Sequence, residues 1–471
     1  MYCRHTNPWL LLLVPFAAMA IDDGLARTPP MGWNPCNHFG WGNSVNETLI
    51  RQCVDSIVSS GMKAAGYTYI NLDAGWCARD RDASGNFVAS PSAFPSGIKA
   101  LADYVHARGL RFGIYTDAGD PSCGNSTPGS KNHEYQDARL FASWGVDYIK
   151  NDFCNSEGLR ADSIYGVMRD AVKAAGRPMV LEICEWGTNM PWGGWGKQAG
   201  HLWRTTTDMK PVTPCWDCQI EPVGPWGPVP IAEVTQRLWS FAGPGGWNFM
   251  DMMSVGNGLT VAEDRAQFSL FCIMASPIIA GHDPRNMSAD LRAIVTNREM
   301  IAVNQDSLGA QGRRVWIDTA NSVIDRGGKV ISGANLQVFV KPMRDSSRAV
   351  VLFNKGAAAA DITVLWTQMG WQASVHAAVR DLWGHRDLGT ASGQYTANVG
   401  SHDAAAFCFT PQGVGVAYVP RTAASGAARR VCLAVQCGSH MGVSVRTETQ
   451  GLYDLCGRRV GDALSPASVR R

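Results

Sequence analysis

Charge is scarce in this 471-residue chain: Asp, Glu, Lys and Arg make up 17%, against roughly 25% in an average domain. Neither sign dominates, with 42 Lys plus Arg, 40 Asp plus Glu and a formal net charge of +2. That balance excludes the basic footprint of a polyanion binder, so no nucleic-acid partner is expected. Histidine is sparse at 10, and neither an HExxH motif nor paired-His spacing occurs. No metal is therefore expected. Past residue 20, no apolar run reaches the roughly 18 residues needed to cross a bilayer. What the chain does have is a 45% hydrophobic fraction, 50 Gly and 17 Trp. That is enough apolar material for two ordinary domains, with many turns and broad flat surfaces for a core or a pocket.

The first twenty residues read as a signal peptide. Arg4 and His5 precede an apolar run, Pro8 to Ala20, which ends in Ala18-Met19-Ala20 before Ile21. The expected route is the secretory pathway, ending outside the cell, in a cell wall, or in a vacuole or lysosome, with no membrane anchor after cleavage. Export permits disulfides. Of 14 cysteines, Cys3 leaves with the signal, and the remaining odd number cannot all pair internally. Sequons stand at Asn46, Asn125 and Asn286.

From residue 31 to about 283, short β-rich segments recur and seven of them end in an acid. They are Tyr67 to Asp73, Arg111 to Asp117, Val146 to Asp152, Met179 to Glu185, His201 to Asp208, Gly246 to Asp251 and Pro277 to Asp283. Met31-Gly-Trp-Asn34 supplies a shorter first strand. Helical patterns such as Ile98 to Arg108 lie between them, with Gly109 placed as a stop. Eight rounds of strand and helix predict a (β/α)8 barrel, an α/β fold over residues 21–310, with the seven carboxylates ringing one face.

One acid after a strand is commonly a cap or a turn residue; seven in phase point to a site. Acids beside aromatics suit a sugar, whose hydroxyls need acceptors and whose C–H faces need flat apolar surfaces. Trp33, Trp76, Tyr115, Trp186, Trp203 and Trp247 lie at or beside strand ends, although tryptophans at such spacing are as readily core. Two carboxylates can cleave a glycosidic bond, one attacking or activating water and one protonating the leaving oxygen. Asp152 follows Lys150 by two residues, so both project from one face of a strand, and the lysine is expected to keep Asp152 ionised. Asp208 follows Arg204 by four. Both pairs also read as plain salt bridges.

These residues resemble glycoside hydrolase family 27, plant-type α-galactosidases. The resemblance is carried by Met31-Gly-Trp-Asn34, Gly113-Ile-Tyr-Thr-Asp-Ala-Gly119, Trp144-Gly-Val-Asp-Tyr-Ile-Lys150, Cys184-Glu-Trp-Gly187, Trp203-Arg204 with Asp208, Gly243-Pro-Gly-Gly-Trp-Asn248 and Val303-Asn-Gln-Asp306. It runs from about Arg27 to Thr410. The resemblance implies an exo-acting retaining hydrolase that releases terminal α-galactose from oligosaccharides or glycoconjugates without a cofactor. Asp152 matches the nucleophile and Asp208 the general acid/base, with carboxyl groups about 5–5.5 Å apart. Asp73, Lys150, Glu185, Arg204 and Asp251 match sugar-hydroxyl ligands. Trp33, Tyr115 and Trp186 match pocket walls, and Trp186 disfavours a 2-acetamido group. Cys123 and Cys154 match a disulfide beside the site.

The chain departs from the family at Leu72-Asp73-Ala74-Gly75-Trp76. Ala74 replaces a second aspartate and Gly75 a cysteine, whose usual partner falls near Trp41. Cys36 and Cys77 are candidates for a substitute bridge. Without the second aspartate, galactose is expected to bind more weakly, and β-L-arabinopyranose, which lacks C6, becomes a rival substrate. Phe249-Met250-Asp251 replaces the usual Asp-Pro-Asp, and Asn151 and Phe153 also differ. A rival of another class is a secreted sugar-binding protein on a hydrolase scaffold, which would not need both Asp152 and Asp208. Residues 311–413 alternate like an antiparallel β-sandwich. Residues 414–471, with eight Arg against three acids from Arg421 onward, read as a basic, flexible tail.

Overall fold

The computed structural model describes residues 21, 23–40, 44–209, 215–219, 224–319 and 335–412, with the backbone of 323–324, 330–332, 452–453 and 459–461. The signal peptide and Trp41 lie outside the described residues. Of the expected tail, only a short antiparallel pair, Leu452–Tyr453 with Arg459–Gly461, is described.

The eight expected strands form: β1 (Met31–Trp33), β2 (Tyr69–Asn71), β3 (Arg111–Asp117), β4 (Tyr148–Asp152), β5 (Val180–Cys184), β6 (Leu202–Arg204), β7 (Trp247–Phe249) and β8 (Ile278–Ala280). Every pairing is parallel, in the order β7-β6-β5-β4-β3-β2-β1-β8. The ring closes just past β7, where the Met253 N–H donates to the Ile279 carbonyl at 2.9 Å. Most strands are shorter than their β-rich segments. In β3 and β4 the acid is the last paired residue, whereas Asp73, Asp208, Asp251 and Asp283 sit in loops beyond the ladder.

Strand alternation decides what enters the barrel. On β4, Tyr148, Lys150 and Asp152 share one face. The rings of Tyr69 and Tyr148 lie 5.4 Å apart although β3 separates their strands, which places both in the interior. Val180, Leu202, Trp247 and Ile279 complete that inner layer. Ile149 points outward into the large core shared with the surrounding helices. Those helices start where capping residues allow. Asn46 accepts from the Leu49 N–H at the head of Glu47–Ser59, and Thr260 and Glu263 form a reciprocal capping box on Val261–Ile273. The helix expected over 98–108 spans Gly97–His106 and ends in a turn at Gly109, whose φ of +66° favours glycine.

After the α-helix Arg298–Asn304, the described residues form β-strands, interrupted by one 3-10 turn at Trp366–Met369. They form β9 (Arg313–Ile317), β10 (Val323–Ile324), β11 (Val330–Ser332), β12 (Leu336–Pro342), β13 (Arg348–Asn354), β14 (Ala360–Leu365), β15 (His376–Asp381), β16 (Arg386–Ser392), β17 (Gln394–Val399) and β18 (Asp403–Gln412). A six-stranded antiparallel sheet, β16-β15-β18-β13-β12-β9, faces the pair β14-β17. Val338, Val350, Val364, Trp366 and Phe409 pack between them. The opposite face, with Phe339, Val351 and Phe353, joins the barrel's core. Ion pairs of Arg265 with Asp403, Arg314 with Glu233 and Arg380 with Glu299 flank that junction.

Candidate active site

Six strand-end acids stay near the C-terminal mouth of the barrel, and two cations are shared among them. Lys150 Nζ lies 2.7 Å from Asp73 Oδ2, both groups buried. Asn34 Nδ2 donates to the same oxygen at 2.7 Å and the Ala74 N–H to Oδ1 at 2.9 Å. Burial pushes the Asp73 carboxyl up, but the Lys150 charge and these donors outweigh it and hold it below its ordinary value.

Asp152 has the opposite balance. Burial, with the charges of Asp208 and Asp73, pushes its carboxyl up to about 6 against the pull of Lys150 and the Phe153 N–H. Lys150 projects from the same face of β4 and favours the ionised form of Asp152, but its ammonium is paired with Asp73 and only partly offsets the desolvation of Asp152. Asp208 feels no such burial. Its side chain is 61% exposed, and Oδ1 accepts from Arg204 Nη2 at 3.0 Å. Arg204 is buried and bridges to Asp251 Oδ1 at 3.1 Å. Asp251, at φ +79°, accepts from the Met209 N–H at 2.6 Å and the Met252 N–H at 2.8 Å. It therefore fixes both Arg204 and the segment that carries Asp208.

Glu185 Oε2 takes three bonds from its own loop, at 2.9 Å from Thr188 Oγ1, 2.6 Å from the Asn189 N–H and 3.0 Å from Asn189 Nδ2. Its other oxygen, Oε1, is buried with no partner among the described residues. Trp186 follows at a left-handed φ of +57°, a strained conformation for a bulky residue. Tyr115 is buried, with its ring 5.6 Å from Lys150 Nζ and its hydroxyl donating to Asp117 Oδ2 at 3.3 Å.

Several expectations fail. Trp33 is not a pocket wall: it is fully buried in the outer core, and its Nε1–H donates to the His282 carbonyl at 2.7 Å. Trp76, Trp203 and Trp247 are likewise buried, with their indole N–H groups bound to the Tyr115 carbonyl, Asn248 Oδ1 and the Ala26 carbonyl. Asp283 leaves the ring of acids to pair with Arg285 and Asn286 after β8. Cys36 and Cys77 are not bridged. Burial pushes both thiols up, but Cys36 lies among the charges of Asp73, Lys150, Asp251 and Asp208, while Cys77 bonds Thr127 and feels Arg81 and Asp137.

Cys123 and Cys154 are bonded, as the resemblance implies. Their sulfurs and the carboxyls of Asp117 and Asp152 offer four atoms within 4.8 Å of one another. A metal would need the thiolates that the disulfide has consumed, so this donor set does not fit an ion. Sequence reasoning missed three features. One is a second disulfide, Cys215–Cys218, in the loop after Asp208. Another is Cys36 among the site's charges, and the third is Glu182. Burial pushes the Glu182 carboxyl up to about 7 despite Lys150 and a hydrogen bond from the Tyr148 hydroxyl. Its signal was available: Glu182 is the one charged residue inside the otherwise apolar strand Val180–Cys184, and the structure sets it opposite Lys150.

The raised carboxyls set a pH dependence of stability. Asp117 is pushed up to about 8, chiefly by burial and the Asp152 charge, and Asp264 to about 7, chiefly by burial. With Glu182, these groups hold protons in the folded chain that the unfolded chain has already lost. Their contribution is complete below the unfolded values and disappears as pH rises through the folded ones. His282, lowered by burial to about 4 from 6.5, opposes this trend only below 6.5. Thermal unfolding is therefore expected at lower temperature at pH 8 than at pH 6.5; a higher midpoint at pH 8 would contradict the assignment.

A (β/α)8 barrel with buried and exposed carboxylates at its C-terminal mouth, steered by shared cations, is the architecture of a barrel glycoside hydrolase. Residues 28–306 match the family model described as alpha galactosidase A, and 333–409 match its C-terminal beta sandwich domain. The chain is 48% identical over 361 residues to alpha-galactosidase A of Cellvibrio japonicus, covering 76% of this chain and 83% of that protein. It is 42% identical over 394 residues to an alpha-galactosidase of Oryza sativa, covering 83% and 87%. The crystal structure of alpha-galactosidase I from Mortierella vinacea superposes with a TM-score of 0.75 at 32% identity, covering 82% of this chain and 98% of that one. The chain belongs to the α-galactosidase family, glycoside hydrolase family 27, and resembles its plant-type members.

Proposed function

We propose that this chain is an exo-acting retaining α-galactosidase acting on galactose-terminated oligosaccharides or glycoconjugates. The observation that carries the reading is the pair of unlike carboxyls, Asp152 buried on β4 and Asp208 exposed beyond β6, in a chain 42–48% identical to α-galactosidases. Asp152 attacks the anomeric carbon as Asp208 gives its proton to the leaving oxygen. Asp208 then takes a proton from water, whose oxygen attacks the same carbon; the sugar leaves and Asp152 recovers its charge. Lys150, Asp73, Arg204 and Asp251 hold the sugar or one another, Glu185 Oε1 offers a free acceptor for a hydroxyl, and Tyr115 and Trp186 line the pocket. The Cys123–Cys154 disulfide fits an oxidising compartment reached through residues 1–20, and exposed Asn125 suits a glycan.

Ala74 favours a second reading, activity on β-L-arabinopyranosides, because it offers no carboxylate where the family pattern has one. Ala74→Asp is expected to raise kcat/KM on nitrophenyl α-galactoside about ten- to hundredfold, the value of a charged acceptor. The test compares that substrate with nitrophenyl β-L-arabinopyranoside in the wild type and in Asp152→Ala. Preferred turnover of the galactoside supports the proposal. Exclusive turnover of the arabinopyranoside overturns it, and sugar binding without turnover favours a lectin-like protein.

A further inference from the structure

Asp117 is fully buried at the end of β3 and stands directly opposite Asp152 in the β3–β4 register. The Ala118 N–H donates to the Asp152 carbonyl at 2.9 Å, so the two chain ends are locked side by side. Asp117 Oδ1 accepts from the Gly119 N–H at 2.8 Å, and Oδ2 from the Cys154 N–H and the Tyr115 hydroxyl, both at 3.3 Å. A Cβ at Gly119 would lie 1.9 Å from the Cys154 carbonyl, so only glycine lets these segments meet. Asp117 thus ties together the two loops that the Cys123–Cys154 disulfide also joins.

Its charged surroundings are unfavourable. Tyr115 shares its strand, Asp152 faces it from β4, and Tyr165 lies behind, donating to the Asn151 and Asp152 carbonyls. Lys150 is committed to Asp73, and among the described residues no Lys or Arg pairs with Asp117. Two carboxylates this close, with one lysine already taken, cannot both ionise cheaply.

We propose that Asp117 is a positioning residue that holds a proton while Asp152 carries the negative charge, so that the two strand-end carboxyls form a one-charge pair. The neutral carboxyl anchors the β3 and β4 loops around the nucleophile without repelling it. The preference of the proton for Asp117 follows from the dry, cation-free side on which it sits, where burial and the Asp152 charge both push its carboxyl up, whereas Asp152 keeps some of the Lys150 field. The pair titrates as a unit.

The proposal rests on Asp152 as the nucleophile, and its test separates the two. Infrared difference spectra of the wild type against Asp117→Asn at pH 7 read a protonated-carboxyl C=O stretch without any turnover. Kinetics on nitrophenyl α-galactoside then give the pH profile. Asp117→Asn is expected to remove that band and to lower kcat about fivefold, for the one accepted bond that an amide cannot make, while the acid limb of kcat/KM stays in place. Asp117→Ala, which removes every acceptor, is expected to fall further. If the band is unchanged in Asp117→Asn, or its acid limb moves down by about one pH unit, Asp117 was ionised and the proposal fails. Should neither variant fold, a wild-type infrared titration that shows no buried carboxyl losing its proton near pH 8 overturns it equally.

Discussion

Asp152→Ala is expected to lower kcat/KM on nitrophenyl α-galactoside by at least about 10⁴-fold, the scale on which removal of a covalent nucleophile acts. The loss should be one of chemistry rather than folding. Asp152 is a buried carboxyl whose ionised form is disfavoured by its surroundings, so its removal relieves a desolvation cost, and the Lys150–Asp73 pair beside it stays intact. The melting temperature is expected to hold or rise. Azide should restore turnover by entering the space the side chain leaves, giving the galactosyl azide of inverted configuration. Loss of activity with a collapsed melting temperature and no azide rescue would count against the nucleophile assignment.

Asp208→Ala is expected to cost about 10²- to 10⁴-fold on substrates with a sugar leaving group, the usual contribution of general acid–base catalysis. A nitrophenyl leaving group needs little protonation, so the first step should survive better there and the second should limit the rate. A burst of nitrophenol followed by slow turnover is the signature, and azide should then give the product of retained configuration. Exposure supports the role: Asp208 must meet the leaving oxygen and then water, and 61% of its side chain is open to solvent. Arg204 keeps Asp251 as a partner in the variant, so the barrel mouth should stay ordered. Equal losses on sugar and nitrophenyl substrates would contradict an acid/base function.

Much of the barrel was legible because strand periodicity and terminal acids coincide. The period of two on β4 places Lys150 and Asp152 on one face, and the structure keeps them there. What the sequence could not decide is which partner each polar group takes. Lys150 reaches across the barrel to Asp73, which gathers Asn34 Nδ2 and the Ala74 N–H as well, rather than to the acid two residues away. Trp33 looked like a wall, but the His282 carbonyl satisfies its N–H only if the ring turns into the core. Cys36 and Cys77 are near the same motif in sequence, yet one faces the site's charges and the other Thr127. Asp117 stood in the series of acids from the start. Its importance rests on strand register, which places it against Asp152, and register between strands 31 or more residues apart is not written in any local pattern.

The most direct test of the account is covalent trapping. A fluorinated galactosyl fluoride, which slows both steps but departs readily, should leave one sugar on the enzyme. Peptide mapping of the inactivated protein is expected to find it as an ester on the peptide carrying Asp152, and pre-treatment with galactose should protect that residue. A label on any other side chain, or steady turnover of the reagent's parent galactoside with no trapped ester at all, would contradict the double displacement through Asp152.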